Sequence, residues 1–397
     1  MKFQIPDRFH SLDLIRGIAA LSVVFWHWQH FFYNGTVAGP YELQAQPFYS
    51  VFFVLYETGW LAVDFFFSLS GFIFFFLYAD AIGAQKVKAW PFFVLRFSRL
   101  YPLHLATLVL VAVLQQWVFA RTGDYFVIPF NDAYHFVLNL FLASSWGLEH
   151  GYSFNGPIWS VSVEVLMYVM FFAMCWLFSR RLAATVALVA IGLVLFSAFP
   201  ILGRGVFSFF FGGLTLLFYR HLCHRDWVSP ALKIAATVTV LLWLGTVLEV
   251  ASPWFWPGVS NALNAVLPEH LHGLVDKIVH AASRFSIVAV LFPMTILSLA
   301  LAETRRGHLG RRFGLIGSLS YSSYLLHFPL QLVMFMLVIQ WGGSAAFFYQ
   351  PVSMLVFFAI LIPLCLLSYR YFEAPAQKAV RTLLLGRARR PNTAPAS

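Results

Sequence analysis

Residues 12–32 read LDLIRGIAALSVVFWHWQHFF, and this run decides the class of fold. Crossing a bilayer takes about 20 mostly apolar residues, and the run has that length while carrying Asp13, Arg16, His27 and His30. It is too long for the apolar core of a secretory leader and lacks a clear small-residue cleavage site, so it is expected to stay in place as a first span. At 100° per residue the eleven steps from Arg16 to His27 turn through about 1100°, which returns to within about 20° of one helical face, and the rise separates the two by about 16 Å. Arg16 is then expected near the cytoplasmic surface and His27 deeper, past the midplane. Asp13, three residues before Arg16, is placed to pair with it. The structural alternative is an arginine that snorkels to the interface and a histidine satisfied by a neighbouring helix.

The rest of the chain agrees with a membrane setting. Of its 397 residues, 60% are hydrophobic and only 11% charged, against about 25% charged in a soluble domain. Aromatic residues make up 19%, with 45 phenylalanines, more apolar surface than a soluble fold of this length can bury. A soluble enzyme, a nucleic-acid binder and a disordered scaffold are excluded. Apolar runs at roughly 12–32, 57–79, 91–119, 157–178, 182–199, 203–219, 230–250, 284–302, 314–341 and 350–369 predict an all-α polytopic membrane protein of about ten transmembrane helices. A run at 134–145 is too short to cross and reads as a surface or re-entrant piece.

An even number of spans puts both termini on one side. With that side in the cytoplasm, Lys86, Lys88, Arg180, Arg181, Arg220, Arg225, Arg305, Arg306, Arg311, Arg312 and the tail cations Lys378, Arg381, Arg387, Arg389 and Arg390 all face inward. Only Arg121, Arg204, Lys277 and Arg284 of the 26 cationic residues are left outside. The net charge of +10 is therefore read as membrane topology and not as a nucleic-acid surface. The long segments 33–56, 120–156 and 251–283 fall on the outer side. Residues 1–380 are expected to form one membrane domain without an internal repeat, and 381–397 a basic cytoplasmic tail without fixed structure. Cys175, Cys223 and Cys365 lie in or beside apolar runs and do not suggest a disulfide framework.

Ionisable groups within spans are costly and point to function. In FVLRFSRLYP, Arg96 and Arg99 share a face at the cytoplasmic entrance of the third span. Their planar forks suit phosphate, and with Arg16 they would take a polyanionic ligand from the cytoplasm; ordinary positive-inside anchoring is the alternative. In NGPIWSVSVEVLMYV, Glu164 lies inside the fourth span, with Ser160 one turn before it and Trp159 at the interface. A carboxylate there needs a partner, and His27 at comparable depth is the expected one; a carboxylate that merely pins two helices is the alternative. Asp64, in GWLAVDFFFSLSGF, is followed by the small pair Ser70 and Gly71, which suggests close helix approach. His327, in SYSSYLLHFPL, precedes Pro329, where a helix kink is expected, with packing and site roles both open.

Taken together, LDLIRGIAALSVVFWH, GWLAVDFFFSLSGF, FVLRFSRLYP, NGPIWSVSVE, SYSSYLLHFPL and YRYFEAP, in this order across nearly the whole chain, closely resemble acyltransferase family 3. These are bacterial integral-membrane O-acyltransferases of surface polysaccharides and glycolipids. The arginine-to-histidine spacing of the first span is that family's main signature and the paired arginines of the third span another. The family often has a second acidic residue after the glutamate of the fourth-span motif; Val165 stands there in this chain.

The resemblance implies transfer of an acyl group, most often acetyl, from cytoplasmic acyl-CoA to a hydroxyl of an extracytoplasmic glycan or glycolipid, by a multi-pass protein of the bacterial cytoplasmic (inner) membrane. Acyl-CoA is then a donor substrate, with no permanently bound cofactor or metal expected. The partners are acyl-CoA, a carbohydrate or glycolipid acceptor and membrane lipid. The chain ends soon after the tenth span, so no appended periplasmic domain is expected. Arg16, Arg96 and Arg99 would hold the CoA phosphates, and the pantetheine arm would reach toward His27. His27 would act as general base on the acceptor or carry the acyl group itself, and Glu164 would orient the imidazole. Asp13, Asp64, Tyr101, Trp159, Ser160, His327 and Glu373 are expected in supporting roles. The rival class is a proton-coupled transporter of a small or sugar-like solute, which an internal repeat would favour.

Overall fold

The computed structural model describes residues 3–178, 181–307, 309–310, 312 and 314–386. The chain runs as α1 (His10–Trp26), α2 (Tyr49–Thr58), α3 (Ala62–Gly83), α4 (Ala89–Thr122), α5 (Ala133–Leu140), α6 (Ile158–Leu177), α7 (Arg181–Ala198), α8 (Pro200–His224), α9 (Val228–Ala251), α10 (Phe255–Asn264), α11 (His272–Ser286), α12 (Phe292–Arg306), α13 (Gly314–Gln340), α14 (Pro351–Leu367) and α15 (Ala374–Leu385). The one sheet among the described residues is a two-stranded antiparallel ribbon, with Tyr33 opposite Ala38 and Asn34 opposite Val37. Helices dominate because hydrocarbon offers no partner to a backbone N–H or C=O, and a helix satisfies both within one segment.

Nine helical segments among the described residues are long and apolar enough to cross a membrane: 49–83, 89–122, 158–177, 181–198, 200–224, 228–251, 269–306, 314–340 and 351–385. The protein is an all-α polytopic membrane protein. The first expected span departs from its prediction. Its α-helix is 17 residues long and gives way at His27 to a 3-10 helix through Phe32. Side-chain amides have taken the carbonyls that the helix would use. Gln29 Nε2 donates to Trp26 O at 3.0 Å, and Gln331 Nε2 donates to His27 O at 2.9 Å. Capturing ladder carbonyls in this way is a recognised cause of helix breaks.

The segments read as long connections also hold structure: α2 begins within 33–56 and runs past it, α10 lies within 251–283, and α11 begins there and runs on toward α12. The short run near 134 forms α5, capped by Asp132, whose carboxylate accepts the His135 N–H at 2.9 Å. At the far end of the chain, residues 381–385 still belong to α15, held by Arg381 Nε donating to Ser98 Oγ at 3.1 Å. The remaining tail residues 387–397 lie outside the described residues, as do Arg180 and Arg311.

The core is a phenylalanine interior around α3 and α8. Phe72, Phe75, Phe92, Phe171, Phe209 and Phe210 are fully buried, and Phe74 stacks on Tyr168 with ring centroids 4.3 Å apart. Three helix pairs approach closely enough for backbone contact, one of them α7 with α8, where Gly192 lies against the Phe207 backbone and Gly203 against the Phe196 backbone. A methyl at Gly71 of α3 would collide with the Phe209 carbonyl of α8, and one at Gly212 of α8 with the Ser68 carbonyl of α3. Gly17 of α1 lies likewise against Ile316, and Gly317 of α13 against the Asp13 backbone. Small residues are what permits such approach between membrane helices. The start of α1 is fixed by Glu303 of α12, wholly buried, which accepts the His10 and Ser11 N–H groups at 2.9 Å each and the Ser11 hydroxyl at 2.6 Å.

The basic residues of the short connections gather at the end of the bundle where the chain begins. Asp80, at the close of α3, receives both Arg181 of α7 and Arg220 of α8. We call this the arginine end, and the opposite end, toward His27, the histidine end.

Candidate active site

A cavity of about 160 Å³ lies between α1, α3, α4, α6 and α13. At the arginine end it is lined by Asp7, Arg8, Asp13, Arg16, Arg96 and Arg99. Ser70, Glu164 and Tyr168 follow, and Val63, Ser160 and Tyr324 complete the far end. Asp7 is exposed, whereas Val63, Ser160 and Tyr324 are buried, so the cavity opens at the arginine end and closes at the other. Val63 and Leu77 of α3 both line it, which by helical rise makes it about 21 Å long. Phe66, Phe67, Ile73 and Phe74 give it apolar walls.

The arginines differ in how fully they are satisfied. Arg16 is tied down: Nε donates to Ser320 Oγ at 3.2 Å, Nη2 donates to Gly317 O at 2.9 Å, and Nη2 pairs with Asp13 at 3.1 Å. Asp13 does pair with Arg16 and also receives Arg8 at 2.8 Å. Arg96 donates Nη2 to Tyr78 Oη at 2.7 Å and lies over the Phe74 and Tyr78 rings, but its buried Nε has no hydrogen-bond partner among the described residues. Arg99 makes no hydrogen bond or ion pair among the described residues. Guanidinium donors without a partner beside a cavity suit a polyanionic ligand with several acceptor oxygens.

Beyond the closed end stand three imidazoles. His27 Nδ1 is 2.8 Å from His327 Nε2, and the two rings are stacked with centroids 5.0 Å apart. His30 stacks on His27 at 4.5 Å, and its Nδ1 lies 3.2 Å from Gln331 Oε1. The network assigns the tautomers of the neutral rings. His327 Nδ1 faces the Ser323 carbonyl at 3.0 Å, and a carbonyl only accepts, so the proton is on Nδ1 and Nε2 is a lone pair. That lone pair accepts the Nδ1–H of His27. His27 therefore keeps its own Nε2 unprotonated, as a base requires.

Glu164 is not the partner of His27. Its Oε1 accepts the Ser70 hydroxyl at 2.6 Å, within the cavity and on the arginine side of the Ser160–Tyr324 pair. The expectation that Glu164 orients the imidazole is overturned, because α13 has brought His327 to His27 instead. Ser160 Oγ donates to Pro157 O at 3.2 Å, which leaves it to accept the Tyr324 hydroxyl at 2.7 Å. This bridge between α6 and α13 closes the cavity one helical turn before His327.

The other expected residues lie outside this line. Asp64 forms a two-pronged pair with Arg204, at 2.7 and 3.1 Å. Trp159 packs on Phe67 and under the Arg204 guanidinium. Tyr101 stacks on Phe97 at 4.3 Å. Glu373 accepts the Ser322 and Ser368 hydroxyls at 2.6 and 2.7 Å from behind α13. Sequence reading missed Tyr78, Tyr324 and Gln331. Tyr324 sits within the SYSSYLLHFPL run, three residues before His327, and that spacing could have placed it on the same face. Tyr78 and Gln331 carried no such signal.

A polytopic helical membrane protein with an apolar-walled cavity that opens among arginines is the class this architecture defines. Residues 9–370 match the family model described as an acyltransferase domain, and the chain belongs to that family, acyltransferase family 3, whose membership makes it a membrane acyltransferase. The chain is 35% identical over 107 residues to protein 2 in the picA locus of Rhizobium radiobacter, a match spanning 27% of this chain and 46% of that protein. It is 25% identical over 340 residues to acyltransferase MdmB of Streptomyces mycarofaciens, spanning 81% of this chain and 78% of the relative. No solved structure matches it.

Proposed function

We propose that the protein moves an acyl group, acetyl by the pattern of its family, from acyl-CoA to a hydroxyl of an extracytoplasmic glycan or glycolipid. The arginine end would face the cytoplasm, with both termini there, in a bacterial cytoplasmic membrane; the gathering of basic connections at that end supports this. Arg96 and Arg99 would take the CoA phosphates with their open donors, and Arg16 would add charge from a fixed position. The apolar cavity would hold the pantetheine arm, its length of about 21 Å leading from the arginines toward the histidines.

The observation that carries the reading is the 2.8 Å contact of His27 Nδ1 with His327 Nε2, itself set by the Ser323 carbonyl, which leaves His27 Nε2 without a protein partner among the described residues. His27 Nε2 would take the proton of the acceptor hydroxyl as that oxygen attacks the thioester carbonyl. The C–S bond then breaks, and the imidazolium returns the proton to the departing CoA thiolate. His327 would keep the ring in place and share the developing positive charge, the role first given to Glu164. Glu164 would instead counterbalance the arginines while the cavity is empty.

The test uses the full chain in nanodiscs with radiolabelled acetyl-CoA. CoA binding is expected to weaken about tenfold or more when Arg96 or Arg99 becomes alanine. Slow His27-dependent hydrolysis without retained label is expected in the absence of an acceptor. Label retained on the wild type but not on His27→Ala would replace the general base by an acyl-imidazole. Absence of CoA binding to the wild type would overturn the donor assignment.

A further inference from the structure

On the other side of the Ser160–Tyr324 bridge, a second group of charges surrounds Trp60. Arg204 of α8 is neutralised by Asp64 of α3, a carboxylate only 1% exposed, and also donates Nη2 to Trp60 O at 3.3 Å. Its guanidinium lies over the rings of Trp60 and Trp159, at 5.5 and 5.3 Å. Arg284 of α11 approaches Trp60 as well, at 4.6 Å, and Phe196 at 5.2 Å. Arg284 makes no hydrogen bond or ion pair among the described residues, so its donors reach no acceptor. The cluster thus holds two guanidiniums and one carboxylate. Glu149, in the neighbouring loop, accepts instead from the Gly147 N–H at 2.9 Å.

A half-buried guanidinium among aromatic rings, with its donors turned to no protein acceptor among the described residues, is placed to take an anion from the solvent side. The place of this cluster gives that anion a role. Trp159 immediately precedes Ser160, and Tyr152 and Tyr324 are both within electrostatic reach of Arg204. Tyr152 is exposed and lies 6.4 Å from the Trp159 ring. Flat rings beside open guanidinium donors suit a sugar face next to a phosphate or carboxylate.

We propose that Arg284, supported by Arg204, Trp60, Trp159 and Tyr152, is an oxyanion-binding site for the acyl acceptor, which is therefore a carbohydrate carrying a phosphate or carboxylate group. This rests on the acyltransferase reading above and adds to it the chemical class of the acceptor. The donor enters between Arg96 and Arg99, the acceptor beside Arg284, and the two meet across Ser160 and Tyr324.

The test measures binding of glucose 1-phosphate, glucuronate and glucose to the full chain in phosphatidylcholine nanodiscs, for wild type, Arg284→Gln and Arg284→Lys. CoA affinity, measured on the same samples, reports a folded protein. At least one anionic sugar is expected to bind about tenfold or more tighter than glucose. Arg284→Gln should erase that preference and Arg284→Lys retain part of it, with CoA affinity unchanged in both. An equal affinity for all three sugars, or a preference that survives Arg284→Gln, overturns the proposal. A parallel arm quantifies phosphatidylglycerol retained on extraction from mixed nanodiscs. Retention that depends on Arg284, with no binding of anionic sugar, would assign the guanidinium to a lipid headgroup and remove the acceptor role. Loss of CoA binding with the sugar preference intact would remove the donor reading and leave this site standing.

Discussion

His27 and His327 are 300 residues apart in the chain and 2.8 Å apart in the fold. Their contact fixes which nitrogen of His27 is free, and a proton acceptor aimed at the wrong atom is no catalyst. Replacing His327 by alanine is expected to lower kcat by about 100- to 1000-fold, within the range assigned to acid–base catalysis, with little change in the KM for acyl-CoA. His327→Gln can accept through its amide oxygen and should recover part of the rate. Steady-state kinetics on the three proteins decides this, and a matching rise in KM would mean that His327 shapes the donor cavity instead.

Asp64 and Arg204 form a buried pair in which each satisfies the other. Asp64→Asn or Arg204→Met alone is expected to cost about 3–5 kcal/mol, since each leaves a group buried without its partner. The double variant Asp64→Asn with Arg204→Met should be more stable than Arg204→Met alone. Thermal unfolding in detergent, read as a double-mutant cycle, measures the coupling.

The glycine contacts between α3 and α8 allow no added atom. Gly71→Ala and Gly212→Ala would each press a methyl into a backbone carbonyl of the facing helix. Both are expected to lower the unfolding temperature, whereas Gly245→Ala on α9, with open space around it, should leave it unchanged or raise it, because alanine is the better helix former. Equal effects at all three positions would contradict the close approach.

The cap of α5 should be pH-dependent. Burial works against the charged form of Asp132, but the His135 N–H and imidazole and the Tyr134 N–H outweigh it and hold the carboxyl below its usual 3.8. A depressed carboxyl contributes stability that is complete above the unfolded value and drains away as pH falls through the folded one. Amide exchange at His135 is therefore expected to stay slow at pH 5 and to quicken once the pH drops below about 3.8. Asp132→Asn, which still caps, should flatten that dependence.

Much of the fold was legible because lipid imposes one rule along the whole chain. An apolar run of membrane length has to close its own hydrogen bonds, and α4, α6, α7, α8, α9 and α13 begin and end within a few residues of the runs that predicted them. The break at His27 was hidden because one of its two causes, Gln331, lies on another helix. Glu303 was hidden for the same reason. Nothing local marks a carboxylate near the end of α12 as the cap of α1. That Arg16, Arg96 and Arg99 line one cavity was legible from spacing on single helices. The partner of His27 was not, since Glu164 and His327 both lie at suitable depth and only the packing of α13 against α1 decides between them.

The glycine contacts also determine how the interior can move. α3 with α8, and α1 with α13, touch through their backbones, and neither pair can slide without forcing main-chain atoms together. Between the pairs, Gly59, just before α3, meets the Ser22 carbonyl of α1, and elsewhere rings make contact, such as Phe9 against Phe72 and Tyr219, which can repack. The molecule is built as two stiff jaws with soft aromatic gums. Widening the space between them is a rotation of one jaw against the other, and the hydroxyl of Tyr324, reaching from one jaw to a helix beside the other, is the latch that such a rotation has to lift.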